Sequence, residues 1–170
     1  ALTRNLLALV RPAEFDVAHD MSSIDVVAAA AQAWRREAAL ATARNLSYHY
    51  LGPAVVGVRL SPSAADLLLG NLLGNAIVHS PDGAEIRLSC TQHEASLSLE
   101  VANPCDALVS ADLARMFEPF WRKDPARSAN GHLGLGLALV RSCATHLGIR
   151  CVAELRDGTI VIGLHEIPLA

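Results

Sequence analysis

The sequence has no surplus of positive charge. Fourteen Lys and Arg stand against 17 Asp and Glu, the formal net charge is −3, and no long basic run occurs. That balance argues against a nucleic-acid binder that works by neutralising phosphates. Long hydrophobic runs are missing too. Although 52% of the residues are hydrophobic, the surplus is Ala, Leu and Val spread along the chain. No uninterrupted apolar stretch reaches the roughly 18 residues of a membrane span, so no direct membrane contact is expected. Ala1-Leu2-Thr3-Arg4 carries neither an initiator Met nor signal-peptide patterning, and the expectation is a stretch of a longer protein. Cysteine is sparse and unpatterned. Cys90, Cys105, Cys143 and Cys151 show no Cys-x-x-Cys spacing and no Cys/His grouping of zinc type. They read as reduced thiols packed as small apolar residues in a cytoplasmic protein. A single domain of this size buries roughly 70% of its unfolded surface and needs no disulfide or metal to hold it. No internal repeat or low-complexity linker divides the chain.

What is present is an alternation of helical and extended patterning. Leu2, Leu6, Leu7 and Val10 keep helical spacing up to Arg11-Pro12, which predicts the tail of a helix over 1–12. Residues 15–19 read as a short strand. Ser22 or Ser23 is expected to cap a long Ala-rich helix over 24–44, with Arg36 and Glu37 on its wet side. Residues 46–51 and 54–60 read as strands split by Gly52-Pro53. Ser61-Pro62-Ser63 opens a helix to about His79, proline being favourable in the first turn, and Ser80-Pro81-Asp82-Gly83 ends it. Apolar/polar alternation over 86–92 and 96–102 about His93-Glu94 predicts an antiparallel hairpin. A short helix is expected near 111–117. A longer one over 135–147 ends at Gly148, and a last hairpin pairs 151–155 with 159–165. The fold class is α+β: a two-layer α/β sandwich, a mixed, mostly antiparallel sheet covered by helices on one face. The long irregular segment from Asn103 to Leu133 is uncommon in a compact domain and suggests a functional lid.

Three constellations carry chemistry. In Asp66-Leu-Leu-Leu-Gly-Asn71-Leu-Leu-Gly-Asn75-Ala-Ile-Val-His79, the residues Asn71, Asn75 and His79 fall at i, i+4 and i+8 and line one face of an otherwise apolar helix. Neutral oxygen ligands in such a stripe suit a hard cation such as Mg²⁺ with phosphate; asparagines bonded to neighbouring backbone give the same pattern. Asn130-Gly131-His132-Leu133-Gly134-Leu135-Gly136-Leu137 runs into a helix. Backbone amides there can approach phosphate oxygens, aided by the helix dipole, or the glycines serve a tight packing turn. The spacing is neither that of a dinucleotide-binding turn nor that of a P-loop. In Met116-Phe117-Glu118-Pro119-Phe120-Trp121-Arg122-Lys123-Asp124-Pro125-Ala126-Arg127, three of the seven aromatics fall within five residues, followed by cations. Such a cluster anchors a lid, docks a partner, reaches a triphosphate or tacks a loop to the core.

Taken in order, these segments resemble the ATP-binding catalytic domain of bacterial sensor histidine kinases, in the superfamily shared with DNA gyrase and mismatch-repair ATPases. Asn71-Leu-Leu-Gly-Asn75-Ala resembles the N box, and Phe117-Glu-Pro-Phe120 with Trp121-Arg122 the F box. Gly131-His-Leu-Gly134-Leu-Gly136-Leu-Ala resembles the second glycine box. The resemblance covers roughly residues 13–167 and implies a Bergerat-type ATP-binding fold over 13–170, with an ATP lid at about 104–133. It further implies that residues 1–12 are the tail of an upstream dimerisation and phosphoacceptor helix. By the same resemblance ATP and Mg²⁺ are the cofactors. Asn75 holds Mg²⁺ on the triphosphate, Asn71 supports that face, and His79 stands beside the nucleotide. The backbone around Gly131, His132, Leu133, Gly134, Leu135 and Gly136 holds phosphates, and Arg122 or Arg127 reaches the phosphates or the partner. The γ-phosphoryl group would pass to a histidine on a dimerisation domain outside this chain, and thence to a response regulator in two-component signalling. This chain is expected to be monomeric, its parent a homodimer with a membrane anchor.

Two departures stand out. The family's first glycine box, Asp-x-Gly-x-Gly, is here Asn103-Pro104-Cys105-Asp106-Ala107. An Asn carbonyl accepts a hydrogen bond from the adenine amino group without charge assistance, a loss of about 1–2 kcal/mol or roughly 5- to 30-fold in affinity. Without those glycines the lid hinge is expected to be stiffer. The position three after Asn75, often Lys in the family, is Val78, which removes one phosphate contact. A gyrase-type hydrolase carries a water-activating Glu where Asn71 stands, and an amide takes no proton at neutral pH. The serine-kinase anti-sigma relatives lack the Phe-x-Pro-Phe segment. The departures motivate an alternative, a degenerate nucleotide-binding or scaffold module that regulates a partner without catalysis.

Overall fold

The computed structural model describes residues 20–105, 108–123 and 133–170. The helix expected over 1–12 and the strand over 15–19 lie outside them. The first described strand, β1 (Ser22–Asp25), leads into α1 (Val26–Arg36) and then α2 (Ala38–Ala43). This corrects the single helix predicted over 24–44 with a serine cap. Ser22–Asp25 is extended and pairs antiparallel with β3 (Gly57–Leu60), so the serines belong to a strand. The cap is Asp25, whose carboxylate accepts a 3.0 Å hydrogen bond from the Val27 N–H. The helix breaks at Glu37, whose N–H turns back to Trp34 O at 3.0 Å. Trp34 stacks on Tyr48 with ring centroids 5.1 Å apart. The Ala-rich run favours helix on both sides of the break, so tertiary packing overrides local propensity there.

The remaining elements follow as expected in kind: β2 (Ser47–Leu51), β3, α3 (Pro62–His79), β4 (Glu85–Gln92), β5 (Ser96–Pro104), α4 (Gly136–His146), β6 (Arg150–Arg156) and β7 (Thr159–Pro168). Five strands form one sheet in the order β2-β4-β5-β7-β6, while β1 and β3 form a separate pair. Only the β2–β4 pairing of the larger sheet is parallel. That pairing requires a crossover, and α3 lies in the connection. Alternation sorts the side chains of the sheet. Leu97, Leu99 and Val101 of β5, Ile86 and Leu88 of β4, and Ile160, Ile162 and Leu164 of β7 are buried in one cluster with Leu68, Leu72, Leu73 and Ile77 of α3. Each such side chain contributes about 1.5–3 kcal/mol by leaving water. The helix predicted near 111–117 is instead a 3₁₀ turn, Ser110–Asp112, followed by hydrogen-bonded turns. The Asp112 carboxylate binds the Val109 N–H and Lys123, and Pro119 bars helical continuation.

Two caps fix α3. Ser61 Oγ accepts from the Ala64 N–H at 3.2 Å, with Pro62 in the first turn. At the other end the Arg44 guanidinium donates to the carbonyls of Ile77 (2.5 Å), Val78 (3.0 Å) and Ser80 (2.5 Å) and to the Asp82 carboxylate (2.8 Å). Arg36 binds Asp66 at 2.6 Å and ties α1 to the first half of α3.

Candidate functional site

On α3 the buried positions Leu68, Leu69, Leu72, Leu73, Ala76 and Ile77 face the core. Asn71, Gly74, Asn75 and Val78 are half-buried and His79 is exposed. The predicted polar stripe is therefore the helix face that looks away from the core. Asn71 uses its amide Nδ2 to donate to Leu67 O at 2.7 Å within its own helix. Its carbonyl oxygen turns to α4: a Cβ added at Gly136 would stand 2.9 Å from Asn71 Oδ1. Thus the first residue of α4 meets Asn71, and a Cβ there would push its amide end aside. Leu135 precedes α4 and gives no side-chain cap. Among the described residues no side-chain cap is made at this end, and no helical carbonyl precedes the first-turn N–H groups of α4. Such a helix start attracts an anion. Asn103 stands at the end of β5 on the helix-facing side, 2% exposed, its Nδ2 donating to Pro104 O at 3.2 Å.

The aromatic segment docks on α4. Met116 and Phe117 are buried, and the Arg141 guanidinium carbon lies 3.9 Å from the centre of the Phe117 ring. Phe120 adopts φ +67 and donates its N–H to Gly134 O at 2.9 Å. Gly134 has φ +69, and a Cβ there would fall 2.6 Å from the Trp121 carbonyl oxygen. The F-box and glycine-box segments are clasped together by backbone, just before α4 begins. A cavity of about 620 Å³ is lined by Asp112, Arg115, Phe120, Trp121, Arg122 and Lys123. Arg122 belongs to that cavity; Asn71, Asn75 and His79 do not line it. Lys123 binds Asp112 at 2.5 Å, and this bond, with the Val109 N–H, holds the Asp112 carboxyl below the usual carboxylate range.

Among the predicted site residues, Asn71 and Gly136 meet, Gly134 is clasped by the F-box segment, and Asn103 is buried at the mouth of the sheet. The Leu133 side chain is 44% exposed and that of Leu135 buried. Arg127, Gly131 and His132 lie outside the described residues. Three positions that brace the elements around this candidate site escaped the sequence reading: Arg44, Arg141 and Asp112. Arg141 sits five residues after Gly136 and is the only Lys, Arg, Asp or Glu of α4, which was the available signal for it. Among the described residues no three or more His, Cys, Asp or Glu side chains gather as metal ligands.

A helix pair with an amide stripe and a clasped aromatic segment thus packs on a mixed sheet. The profile of one family, described as histidine kinase-, DNA gyrase B-, and HSP90-like ATPase, matches residues 61–170, and this chain belongs to that family. Among its relatives, the sensor-like histidine kinase SenX3 of Mycolicibacterium smegmatis is 30% identical over 153 residues, covering 88% of this chain and 40% of the relative. The sensor protein IrlS of Burkholderia pseudomallei is 40% identical over 85 residues, 49% of this chain and 18% of the relative. The chain thus spans less than half the length of these relatives. The fold matches full-length ShkA, solved with AMPPNP, at a TM-score of 0.83 and 17% identity, covering 99% of this chain and 36% of that one. It also matches the Acinetobacter baumannii histidine kinase AdeS at 0.80 and 17%, covering 99% and 77%.

Proposed function

We propose that this chain is the catalytic ATP-binding domain of a sensor histidine kinase. It binds Mg-ATP and presents the γ-phosphate to a histidine on a dimerisation domain outside this chain. The observation that carries this reading is the apposition of Asn71 with Gly136 at the uncapped start of α4. It puts an amide-bearing helix face beside a row of backbone donors, which is what a charged phosphate chain needs on its two sides. The residues fit the ions: Asn75 offers a half-buried carbonyl one helical turn beyond Asn71, suited to Mg²⁺ already held by phosphate oxygens. When bound, Mg²⁺ supplies neutralising charge across the phosphate oxygens.

Each residue then has a task that requires no covalent chemistry. Phosphoryl transfer asks mainly for positioning and charge stabilisation. The first-turn amides of α4 and the backbone around Gly134 orient the phosphates; Asn71 buttresses that helix start. His79 stands at the α3 C-terminus, one turn past Asn75. Asn103, buried on the helix-facing side of β5, accepts from the adenine amino group in place of the family's Asp. Arg122 and Arg127 belong to the lid, taken as about 104–133, which excludes water from the phosphates. The acceptor imidazole arrives from the dimerisation domain, and a response regulator follows it. The histidine kinase ThkA, solved in complex with the response regulator TrrA, has this fold with a TM-score of 0.76 and 16% identity.

Calorimetric titration with a non-hydrolysable ATP analogue, with and without Mg²⁺ and beside Asn75→Ala, tests the reading. Binding that requires both Mg²⁺ and Asn75 is expected. No heat up to millimolar ligand overturns it and gives precedence to a scaffold that regulates a partner without nucleotide.

A further inference from the structure

The sheet face opposite the nucleotide site carries a second constellation. Ser98 of β5 projects there, between the inward-facing Leu97 and Leu99. The β5–β7 register slips at this point: Leu97 pairs with Ile167 but Leu99 with Leu164. Ser98 therefore faces two residues, His165 and Glu166. Glu166 takes φ +66, a left-handed conformation uncommon for a residue with a side chain. A two-against-one register of this kind is a β-bulge, and bulges re-aim side chains. The side chain re-aimed here is His165. Its ring lies back over Gly163, where a Cβ would fall 2.5 Å from Nε2, and its Nδ1 stands 3.1 Å from Ser98 Oγ. From the β4–β5 turn, His93 brings Nε2 within 3.0 Å of the same oxygen.

Two imidazole nitrogens therefore converge on one point. Points about 3 Å from a shared oxygen, at a near-tetrahedral angle, are about 5 Å apart. Two imidazoles on one zinc ion, each at roughly 2.0–2.1 Å, stand about 3.3 Å apart. Closing that gap takes less than about 2 Å of movement, and His93 sits in an exposed turn that permits it. We propose that His93 and His165 form a two-imidazole site for a borderline divalent cation, Zn²⁺, Ni²⁺ or Cu²⁺, with water in the remaining positions. Imidazole selects these ions, whereas Mg²⁺ prefers oxygen, so this site does not compete for the nucleotide's cation. The nearby charges are engaged elsewhere. Arg150, opposite His165 on β6, binds Glu166 at 3.3 Å, and Glu100, opposite Gly163, has Arg156 at 3.6 Å. No third His, Cys, Asp or Glu ligand joins the pair among the described residues, so the site is open on its solvent side.

Calorimetric titration of the full chain with Zn²⁺ or Ni²⁺ alone, without nucleotide, is the test. One equivalent is expected to bind, weakened about tenfold or more in His93→Gln and in His165→Gln, while Ser98→Ala keeps its affinity. Ser98→Ala breaks the hydrogen-bonded staple and leaves both imidazoles, so it separates a metal site from a purely structural contact. His93→Gln alters an exposed turn and folds normally, which a thermal melt checks. Absence of binding to the unaltered chain overturns the proposal. So does binding that survives in the double variant, or that Mg²⁺ competes for equally. None of these outcomes bears on ATP-analogue binding, which is measured separately.

Discussion

Gly134 and Gly136 stand two residues apart and their missing side chains serve different ends. Gly134 needs a left-handed backbone and room for the Trp121 carbonyl. Gly134→Ala therefore adds about 1–2 kcal/mol of conformational strain and breaks the clasp with Phe120. Both thermal stability and nucleotide affinity are expected to fall. Gly136 is helical, and its Cβ would meet only the amide end of Asn71. Gly136→Ala gains helix propensity of up to about 1 kcal/mol, so the melting temperature holds or rises while calorimetric affinity for the ATP analogue drops. A parallel loss of both quantities would show Gly136 to be a packing residue alone. The thiols give a separate residue-scale expectation. Burial raises Cys143 to about 11, and raises Cys151 to about 11 against the opposing charge of Arg141. The thiolate is the reactive form, so iodoacetamide labels both slowly at pH 7.5 and faster as pH climbs toward 11. Rapid labelling at pH 7.5, followed by mass spectrometry, would contradict the burial.

Among the elements, α3 was the most legible in the sequence, and α1 with α2 the least. Ser61-Pro62 marks the start of α3 with a cap and a favoured first-turn proline, and the Ser80-Pro81 pair stops it. All of that information is local. The break at Glu37 and the Asp25 cap were not legible because they answer to distant partners: Tyr48 stacks on Trp34, and β3 recruits Ser22–Asp25 as a strand. Arg44 belongs to the same class. From sequence it is one more cation near the end of an Ala-rich run, but in the fold it gathers the last carbonyls of the helix bearing Asn75 and His79. Its side chain is only 24% exposed, so Arg44→Ala leaves partly buried carbonyls without their donor. A loss of about 1–3 kcal/mol is expected, read by urea unfolding. Lowered affinity for the ATP analogue should accompany it, because the end of α3 frays toward the site. Arg44→Lys, with one ammonium for a planar fork, restores only part of either.

For the whole molecule, period-two alternation made the five-stranded sheet readable, and three short motifs in order made the family readable. The separate β1–β3 pair was not, since its register joins residues more than thirty positions apart. Nor was the pairing of Asn71 with Gly136, or of Phe117 with Arg141, which exists only once α3, the lid segment and α4 are packed together. On the proposed function, that packing would make nucleotide binding a property of three separate segments at once, and a ligand spanning them should stabilise the entire domain. At a free ligand concentration of about 100 times Kd, binding to the folded state alone adds about 2.7 kcal/mol. For a domain of this size that corresponds to a rise in melting temperature of roughly 5–11 °C. The rise should require Mg²⁺ and vanish in Asn75→Ala. Phe117→Ala separates the two contributions: it removes a buried ring, lowers the unliganded melting temperature by the equivalent of about 3–5 kcal/mol, and loosens the lid anchor on Arg141. If the lid helps hold the nucleotide, the ligand-induced rise in this variant is smaller than in the unaltered chain at equal ligand. An undiminished rise would mean that α3 and the start of α4 hold the nucleotide without the lid.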